Sequence, residues 1–415
     1  MYDLCIIGGG AAGMSCAIAA GRNGKKVLLI DKNNKLGKKL YATGNGKCNL
    51  TNTRFDSKLH YNSSSSDNYE NFINQALENA YNNSLPYNQL IDFTNSIGIN
   101  SIDDNNYIYP SSAQASSVVW AMIDALNELK VEIRLNTEVL SIEGKYPSFT
   151  IKCENEAFKA AQIALANGGL AYKSLGGTDS GYKLANEFGH KIIKPRPSLC
   201  GIYVKEDTNQ LAGVRANAKI SLLSSNNKTI ATSYGELQFS KQGLSGICIF
   251  ELSSKIGKLL TKNNNPKLII SFLDYPKENS YNLLIKDIES NNLKNRTILG
   301  LLNGYVNDKI AIYVCSLHNI DCKQLAKDTS IIKLKSMANT LSSMEFSIHD
   351  LYDMEQAQVT AGGVDINDIN PFNMESKITK GVYIVGELLD IDGICGGYNL
   401  TFAMLTGYKA GKSIV

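Results

Sequence analysis

The sequence predicts an α/β protein whose main domain is a parallel sheet with helices, assembled from both ends of the chain and interrupted by an insert. Three observations carry this. A strand, a glycine-rich turn, a helix and a second strand open the chain. Short alternating apolar runs and then helical periodicity fill its middle. A glycine-rich strand-and-helix pattern returns near its end. Residues 1–190 and 346–415 are therefore assigned to the α/β domain and 191–345 to the insert, with a helical part at about 250–330.

Leu4-Cys5-Ile6-Ile7 reads as a buried strand, followed by Gly8-Gly9-Gly10-Ala11-Ala12-Gly13. Residues 14–23 are Ala-rich and helical, Gly24 ends that helix, and Lys26-Val27-Leu28-Leu29-Ile30-Asp31 is a second strand. Together they make a βαβ unit. A Gly/Lys/Asn loop spans 35–52, and the serine run at 63–66 reads as a mobile loop. Helical patterns follow at 68–81 and 86–98, and Ser111 or Ser112 caps another running to Leu129. Strands are expected at 131–135, 138–143, 149–153 and 163–166. After Pro195 and Pro197, alternating runs at 200–204, 216–224 and 229–239 indicate an antiparallel module. Residues 267–273 are strand-like within the helical stretch. Val382-Tyr383-Ile384-Val385 is a strand, 386–399 a loop, and 400–413 a closing helix.

Composition bounds the possibilities. With 43% hydrophobic and 20% charged residues, the 415-residue chain is an ordinary globular protein of two or three domains. A net charge of +3 gives no reason to expect nucleic acid or an anionic membrane as partner. No apolar run approaches the roughly 20 residues that span a bilayer. The first residues lack the basic region of a signal peptide, so the cytoplasm is the default compartment. The nine cysteines form no Cys-x-x-Cys pair, so neither a zinc knuckle nor a dithiol redox pair is expected. His60, His190, His318 and His349 have no metal-ligand spacing.

Gly8, Gly10 and Gly13 satisfy G-x-G-x-x-G in the required strand–helix setting. The first glycine permits the turn, the second lets the backbone approach a pyrophosphate, and the third lets helix and strand pack closely. The open N–H groups at the helix start favour phosphate charge. Asp31 ends the second strand about 20 positions on, where a carboxylate accepts from ribose hydroxyls and disfavours a 2′-phosphate. This much says only dinucleotide. The C-terminal return selects FAD, because flavoproteins of the glutathione-reductase type start with this motif and close the site with a strand–Gly–acid–helix segment. Here Gly386-Glu387 follows a strand and Gly396-Gly397-Tyr398-Asn399 precedes the last helix. Glu387 is placed to accept from ribityl hydroxyls. The helix start at Gly397, Tyr398, Asn399 and Leu400 is placed to offer N–H donors and positive dipole to the ring's N1/O2 edge.

The chain resembles the YhiN/BaiN-like flavoproteins, often labelled the aminoacetone oxidase family. The resemblance spans nearly the whole chain. Its carriers are Gly8 to Gly13 with Asp31, Leu36-Gly37-Lys38-Lys39-Leu40, and Thr43-Gly44-Asn45-Gly46-Lys47-Cys48-Asn49-Leu50-Thr51-Asn52. Gly235-Glu236-Leu237-Gln238-Phe239, Gly243-Leu244-Ser245-Gly246, Ala357-Gln358-Val359-Thr360-Ala361-Gly362-Gly363-Val364 and Met374-Glu375-Ser376-Lys377 continue it. Gly386-Glu387, Asp390, Gly393 and Gly396-Gly397-Tyr398-Asn399-Leu400 complete it. The resemblance implies FAD pyrophosphate at Gly8, Gly10, Ala11, Ala12 and Gly13, adenosine ribose at Asp31 and Lys32, and adenine at Val139. It places Lys39, Gly44, Asn45, Gly46, Cys48 and Asn49 along the flavin, and Ala166, Asn167 and Gly168 under the pyrophosphate and ribose. It also implies an insert that pairs a β-barrel with a small helical module. The chain departs from the family pattern at Asp31 (Glu is usual), Asn167 (Thr), Ser240-Lys241 (Thr-His) and Asn373 (Thr).

Flavin chemistry needs a proton donor or acceptor near the reactive face. Tyr398 is the local candidate for a catalytic role, with ring packing as the alternative. Cys48 and Cys395 lack a partner at redox spacing, so a structural role is expected. Lys35, Lys38 and Lys39 are either a solvated run or neutralise phosphate. Gly176-Gly177-Thr178-Asp179-Ser180-Gly181 lacks a buried strand before it, so no separate NAD(P)H domain is expected. Either NAD(P)H docks transiently, or the substrate reduces the flavin and oxygen reoxidises it. Three readings follow: an FAD-dependent, NAD(P)H-linked reductase of an activated C=C in a small hydrophobic molecule; a flavin amine oxidase that releases peroxide; and a non-catalytic FAD-binding or RNA-associated module, which the near-neutral charge opposes.

Overall fold

The apolar start of the chain becomes the middle of a sheet. In the computed structural model, which describes residues 1–78, 85–275, 279–290 and 293–415, strand β1 (Tyr2–Ile7) leads into helix α1 (Ala11–Arg22) and strand β2 (Val27–Ile30). Helix α2 (Ala115–Glu128) precedes strands β3 (Glu132–Arg134), β4 (Val139–Lys145), β5 (Ser148–Cys153) and β6 (Ala157–Leu165). Strand β7 (Val382–Ile384) and helix α3 (Tyr398–Lys412) close the chain. The sheet runs β3-β2-β1-β6 in parallel. The far edge of β6 is shared. Its first half pairs antiparallel with β5, and its second half pairs parallel with β7, Ile163 opposite Val382 and Leu165 opposite Ile384. Leu4–Ile7 of β1 and all of β2 are apolar and buried on both faces, as in a parallel sheet covered on each side.

The carboxyl ends of four parallel strands meet at one rim. Gly8 N–H donates to Ile30 O (2.8 Å), Ala166 N–H to Ile7 O (2.8 Å) and Val385 N–H to Leu165 O (3.1 Å). Ligands of open α/β sheets bind at that rim, and the residues following β1, β2, β6 and β7 are the Gly8, Asp31, Ala166 and Gly386 segments.

Helices α1 and α3 pack through small residues. A Cβ on Gly407 would lie 2.1 Å from Ala12 O, and one on Gly411 2.2 Å from Cys16 O. The two contacts advance together along both chains, so the helices run in the same direction. On α3, Lys409 is buried and donates to Gln75 O (2.6 Å), Glu78 O (2.9 Å) and Pro371 O (3.3 Å). The first two carbonyls lie at the end of helix Tyr69–Leu77, where the dipole favours a cation.

The contacts divide the chain into Met1–Arg196 with Ala357–Val415, and Pro197–Gln356. The second unit is built on a closed barrel of six strands: Ile202–Val204, Gly243–Ser245, Thr229–Phe239, Arg215–Leu223, Lys267–Ser271 and Met344–Leu351 in spatial order. Its helices include Ile247–Leu260, Asp308–Leu317 and Ile331–Ser342. The divisions fall later than 190 and 345 for physical reasons. Strand Ile192–Ser198, most of which lies in the first unit, pairs with Val359–Val364, while Met344–Leu351 is needed to close the barrel. The strand-like run at 267 is thus a barrel strand rather than part of the helical stretch.

Other expectations change. The serine run is an ordered turn, held by the Asp390 carboxylate. The helix expected from Ser111 or Ser112 begins at Ala115, with Gln114 at its N-cap. The helix expected over 68–81 is seen as Tyr69–Leu77, and residues 79–81 lie outside the described residues. A hairpin not foreseen, Ser101–Asp104 with Tyr107–Pro110, turns at Asn105 (φ 53°) and Asn106 (φ 77°) and pairs with Thr51–Asn52. Two positive φ values in a two-residue loop mark a type I′ turn, which asparagine tolerates.

Two predictions test this packing. Gly411→Ala should destabilise the protein by about 1–3 kcal/mol, read from denaturant midpoints, and an unchanged midpoint would contradict the close helix contact. Burial lowers the Lys409 pKa from 10.5 to about 8. The unfolded chain then binds more protons between those values, so stability withheld below pH 8 returns as pH rises through the window. The stability of wild type relative to Lys409→Met should climb across that range, by at most about 1.4 kcal/mol per pH unit. A flat difference would contradict the assignment.

Candidate cofactor and active site

The glycine-rich turn is shaped by three different constraints. Gly8 has φ +111°, and a Cβ there would lie 2.3 Å from Ala166 O. A Cβ on Gly13 would lie 1.8 Å from Gly8 O, so helix and turn meet backbone to backbone. Gly10 differs: its φ is −81°, and a Cβ there would meet nothing within 4 Å. No contact among the described residues requires glycine at that position. Gly10 is the N-cap of α1 with no side-chain cap, and Ala11 and Ala12 open a first turn that carries no acid. The first N–H groups of an uncapped helix are an anion site.

A pocket opens beside this turn, lined by Gly8, Asp31, Lys32, Val139 and Asn167, all five singled out by sequence. Asn33, Thr137, Gly176, Thr178 and Ser180 are among its other lining residues. The glycine-rich run at 176–181 is therefore a wall of this pocket, a role its lack of a preceding strand did not reveal. Asp31 is well occupied. Its Oδ2 accepts from Gly9 N–H (2.6 Å), and its Oδ1 accepts from the backbone N–H (2.7 Å) and side-chain amide (2.9 Å) of Asn33. The carboxylate thus braces the turn and the pocket floor, and an ionised carboxylate has about four acceptor positions in all. Asn167 is held by a long contact to Ser180 Oγ (3.4 Å), while its Oδ1 is buried without a partner among the described residues.

Next along the rim, Glu387 is not open as the sequence suggested. Lys39 Nζ donates to both its oxygens (3.0 and 2.8 Å), and Thr360 N–H donates to Oε1 (2.9 Å). Gly168 and Gly169 lie against the same carboxylate, where their missing side chains leave room. Lys39 is therefore drawn from the lysine run into an ion pair. Gly386 has φ +68°, donates to Thr406 Oγ1 (3.1 Å), and packs on Ala12, where an added Cβ would stand 2.8 Å from the Ala12 Cβ.

The last rim segment is Gly396-Gly397 with the start of α3. A Cβ on Gly397 would come within 2.7 Å of Thr51 Cα, so this turn lies directly on Thr51-Asn52. Gly44, Asn45 and Gly46, all exposed and all with positive φ, lead into that stretch. Side chains in this region are mostly taken. Asn49, in the amide orientation that satisfies both groups, donates to Thr51 O (3.0 Å) and Ile108 O (3.2 Å). Asn399 exchanges two 2.8 Å bonds with the backbone of Gly393, and Leu400 packs on the core. Cys48 is buried, and burial pushes its thiol up to about 11, so it is not a thiolate at neutral pH.

Tyr398 does not have the setting of a proton donor. It is buried, its hydroxyl donates to Arg54 O (3.0 Å), and its ring stacks on His60. Packing is the role the structure gives it. The serine run expected to be mobile is clamped instead: Asp390 Oδ2 accepts from Ser63 Oγ (3.0 Å), Ser64 N–H (2.7 Å) and Ser65 N–H (2.6 Å). Burial pushes the Asp390 carboxyl above its usual range against those bonds. In the second unit, the hydroxyls of Ser240 and Tyr352 are bonded at 2.8 Å. Among the described residues no cluster of acids, histidines and cysteines could hold a metal, and no helix is long and apolar enough to cross a membrane.

Residues 2–413 match the HI0933-like protein Rossmann domain. The 3-dehydro-bile acid delta(4,6)-reductase of Clostridium scindens is 33% identical over 416 residues, covering 100% of this chain and 99% of that protein. The ribosomal RNA dihydrouridine synthase of Escherichia coli is 28% identical over 422 residues, covering 100% and 98%. Among solved structures, the 3-ketosteroid delta1-dehydrogenase of Sterolibacterium denitrificans superposes with a TM-score of 0.49 at 13% identity, covering 100% of this chain and 99% of that one.

The open face at Gly10 makes a separable prediction. Gly10→Val should cost about 1 kcal/mol of apoprotein stability, as for a poor N-cap, yet retain no flavin through gel filtration. A variant that keeps its flavin would show that nothing approaches the turn there.

Proposed function

The chain belongs to the HI0933-like family of Rossmann proteins, and we propose that it is an FAD-dependent oxidoreductase that reduces a C=C conjugated to a carbonyl in a small hydrophobic molecule. NAD(P)H is the transient electron donor. The residues present suit FAD on three counts: the open face of Gly10, the pocket bearing Asp31, and the buried, unpartnered Oδ1 of Asn167. Gly8, Gly10, Ala11, Ala12 and Gly13 would hold the pyrophosphate. Asp31, Lys32, Val139, Ala166, Asn167 and Gly168 would hold the adenosine end. Lys39, Gly386 and Glu387 would meet the ribityl chain, and Gly44, Asn45, Gly46, Gly397, Tyr398 and Leu400 would flank the ring. Cys48, Asn49 and Asn399 would support that segment from behind. FAD, when bound, supplies hydride chemistry, and the chain supplies orientation and electrostatics.

One observation carries the choice of reaction. Two relatives aligned over the whole chain are named for chemistry of a single kind. A Δ4,6 bond beside a 3-oxo group and the uracil double bond are both alkenes conjugated to a carbonyl. The sequence has no second strand–G-x-G-x-x-G–helix unit, which favours a nicotinamide that docks and leaves. The higher identity to the bile acid reductase favours a small molecule. Uridine within RNA is the second reading, supported by the names of two relatives. The chain's net charge of +3 gives it little of the phosphate neutralisation on which RNA affinity rests.

Anaerobic stopped-flow absorbance tests this. NADH or NADPH should bleach the flavin, and a steroid 4-en-3-one should restore its colour faster than a ribosomal RNA fragment does. Recovery with RNA alone would move the assignment to the second reading. Bleaching by a simple amine and by neither nicotinamide would overturn both.

A further inference from the structure

We propose that His60 holds the substrate's carbonyl oxygen, donating a hydrogen bond from Nε2 beside the Gly393–Tyr398 segment. This rests on the reading that the substrate carries a conjugated carbonyl.

The tautomer is set locally. Asp56 caps the short turn Ser57–His60, accepting from Lys58 N–H (2.9 Å) and Leu59 N–H (3.0 Å). Its own N–H donates to His60 Nδ1 (3.0 Å). A ring nitrogen that accepts carries no proton, so the neutral ring has its proton on Nε2. Nε2 has no hydrogen-bond partner among the described residues, and the ring is only partly buried. A donor of fixed identity is therefore left open at the surface of this segment.

The position is set from several sides. The imidazole lies on the Tyr398 ring at 4.3 Å between centroids and 21° between planes. Ile394 N–H donates to His60 O (2.9 Å), Tyr61-Asn62 pairs with Asp392-Gly393, and Tyr61 OH donates to Tyr398 O (3.1 Å). The Asp390 clamp on residues 63–65 anchors the chain just beyond. His60 is thus fixed to the C-terminal glycine segment rather than carried on a loose loop, which is the preorganisation an oxyanion donor requires.

Its charge state suits the task. Burial holds the His60 pKa below its usual value, Arg54 adds to this, and Asp56 opposes it. The ring is neutral at pH 7 and keeps its proton while negative charge grows on the carbonyl oxygen. Three other titratable groups beside this segment are engaged or enclosed. Tyr61 and Tyr398 are buried and donate to backbone carbonyls, and Asp390 is wholly buried.

The test uses FAD-loaded protein and para-chlorophenol, whose phenolate mimics the charged oxygen and gives a long-wavelength absorption band over an oxidised flavin. His60→Phe keeps a ring on Tyr398 and removes the donor, while His60→Gln restores a donor. His60→Phe should keep its flavin and its rate of bleaching by nicotinamide. It should bind the phenol at least about tenfold more weakly and lose about 10²–10³ in kcat with an enone, and His60→Gln should recover part of both. Phenol binding and turnover within twofold of wild type in His60→Phe would overturn the proposal, as would loss of flavin from both variants. The phenol titration needs no turnover, so a wild type that reduces no conjugated carbonyl sinks the reading of the reaction while the role of His60 is still decided.

Discussion

Everything at the rim depends on the backbone contact between the first and last helices. Gly407 and Gly411 let α3 come down onto the carbonyls of Ala12 and Cys16, distances at which any side chain would intrude. That seam joins the two ends of the chain in one core and sets Gly386 on Ala12. It also aligns two helix starts in one direction. Gly407 is nine residues into α3 and Ala12 is one residue into α1, so α3 begins roughly 12 Å before α1 along their shared direction. One helix start belongs to the phosphate turn and the other to the Gly396-Gly397 turn.

How much of this was legible follows from which interactions are local. The βαβ unit and Gly8, Gly13 and Asp31 were readable because strand, turn and helix constrain each other within thirty residues. Gly10 was readable too: no described protein atom fills the space that its missing side chain leaves for a ligand's approach. Glu387 was recognisable as an acid after a strand. Its partner Lys39 lies 348 positions away, and no spacing rule reaches that far. The Asp390 clamp was hidden for a different cause. Two of its three donors are backbone N–H groups of Ser64 and Ser65, and composition says nothing of backbone bonds. A serine run therefore looked loose when it was pinned.

Tyr398 and His60 show the same limit at the chemical end of the site. Sequence favoured the tyrosine because it adjoins the glycine pair, and left the histidine isolated because it has no neighbour at ligand spacing. In the fold the two rings stack, and the tyrosine spends its hydroxyl on the Arg54 carbonyl. Adjacency in sequence pointed to the tyrosine and could not show that the histidine packs on it. Which side chain has a donor to spare is decided by tertiary hydrogen bonding.

The central claim is that both ends of the chain together make one FAD site. Acid release of bound flavin from the purified protein, with the flavin identified by mass and quantified against protein, tests it most directly. The account predicts FAD at one per chain, bound as isolated or after reconstitution of the apoprotein. A protein that takes up no flavin, or takes up only a mononucleotide that leaves the Asp31 pocket unused, would contradict it.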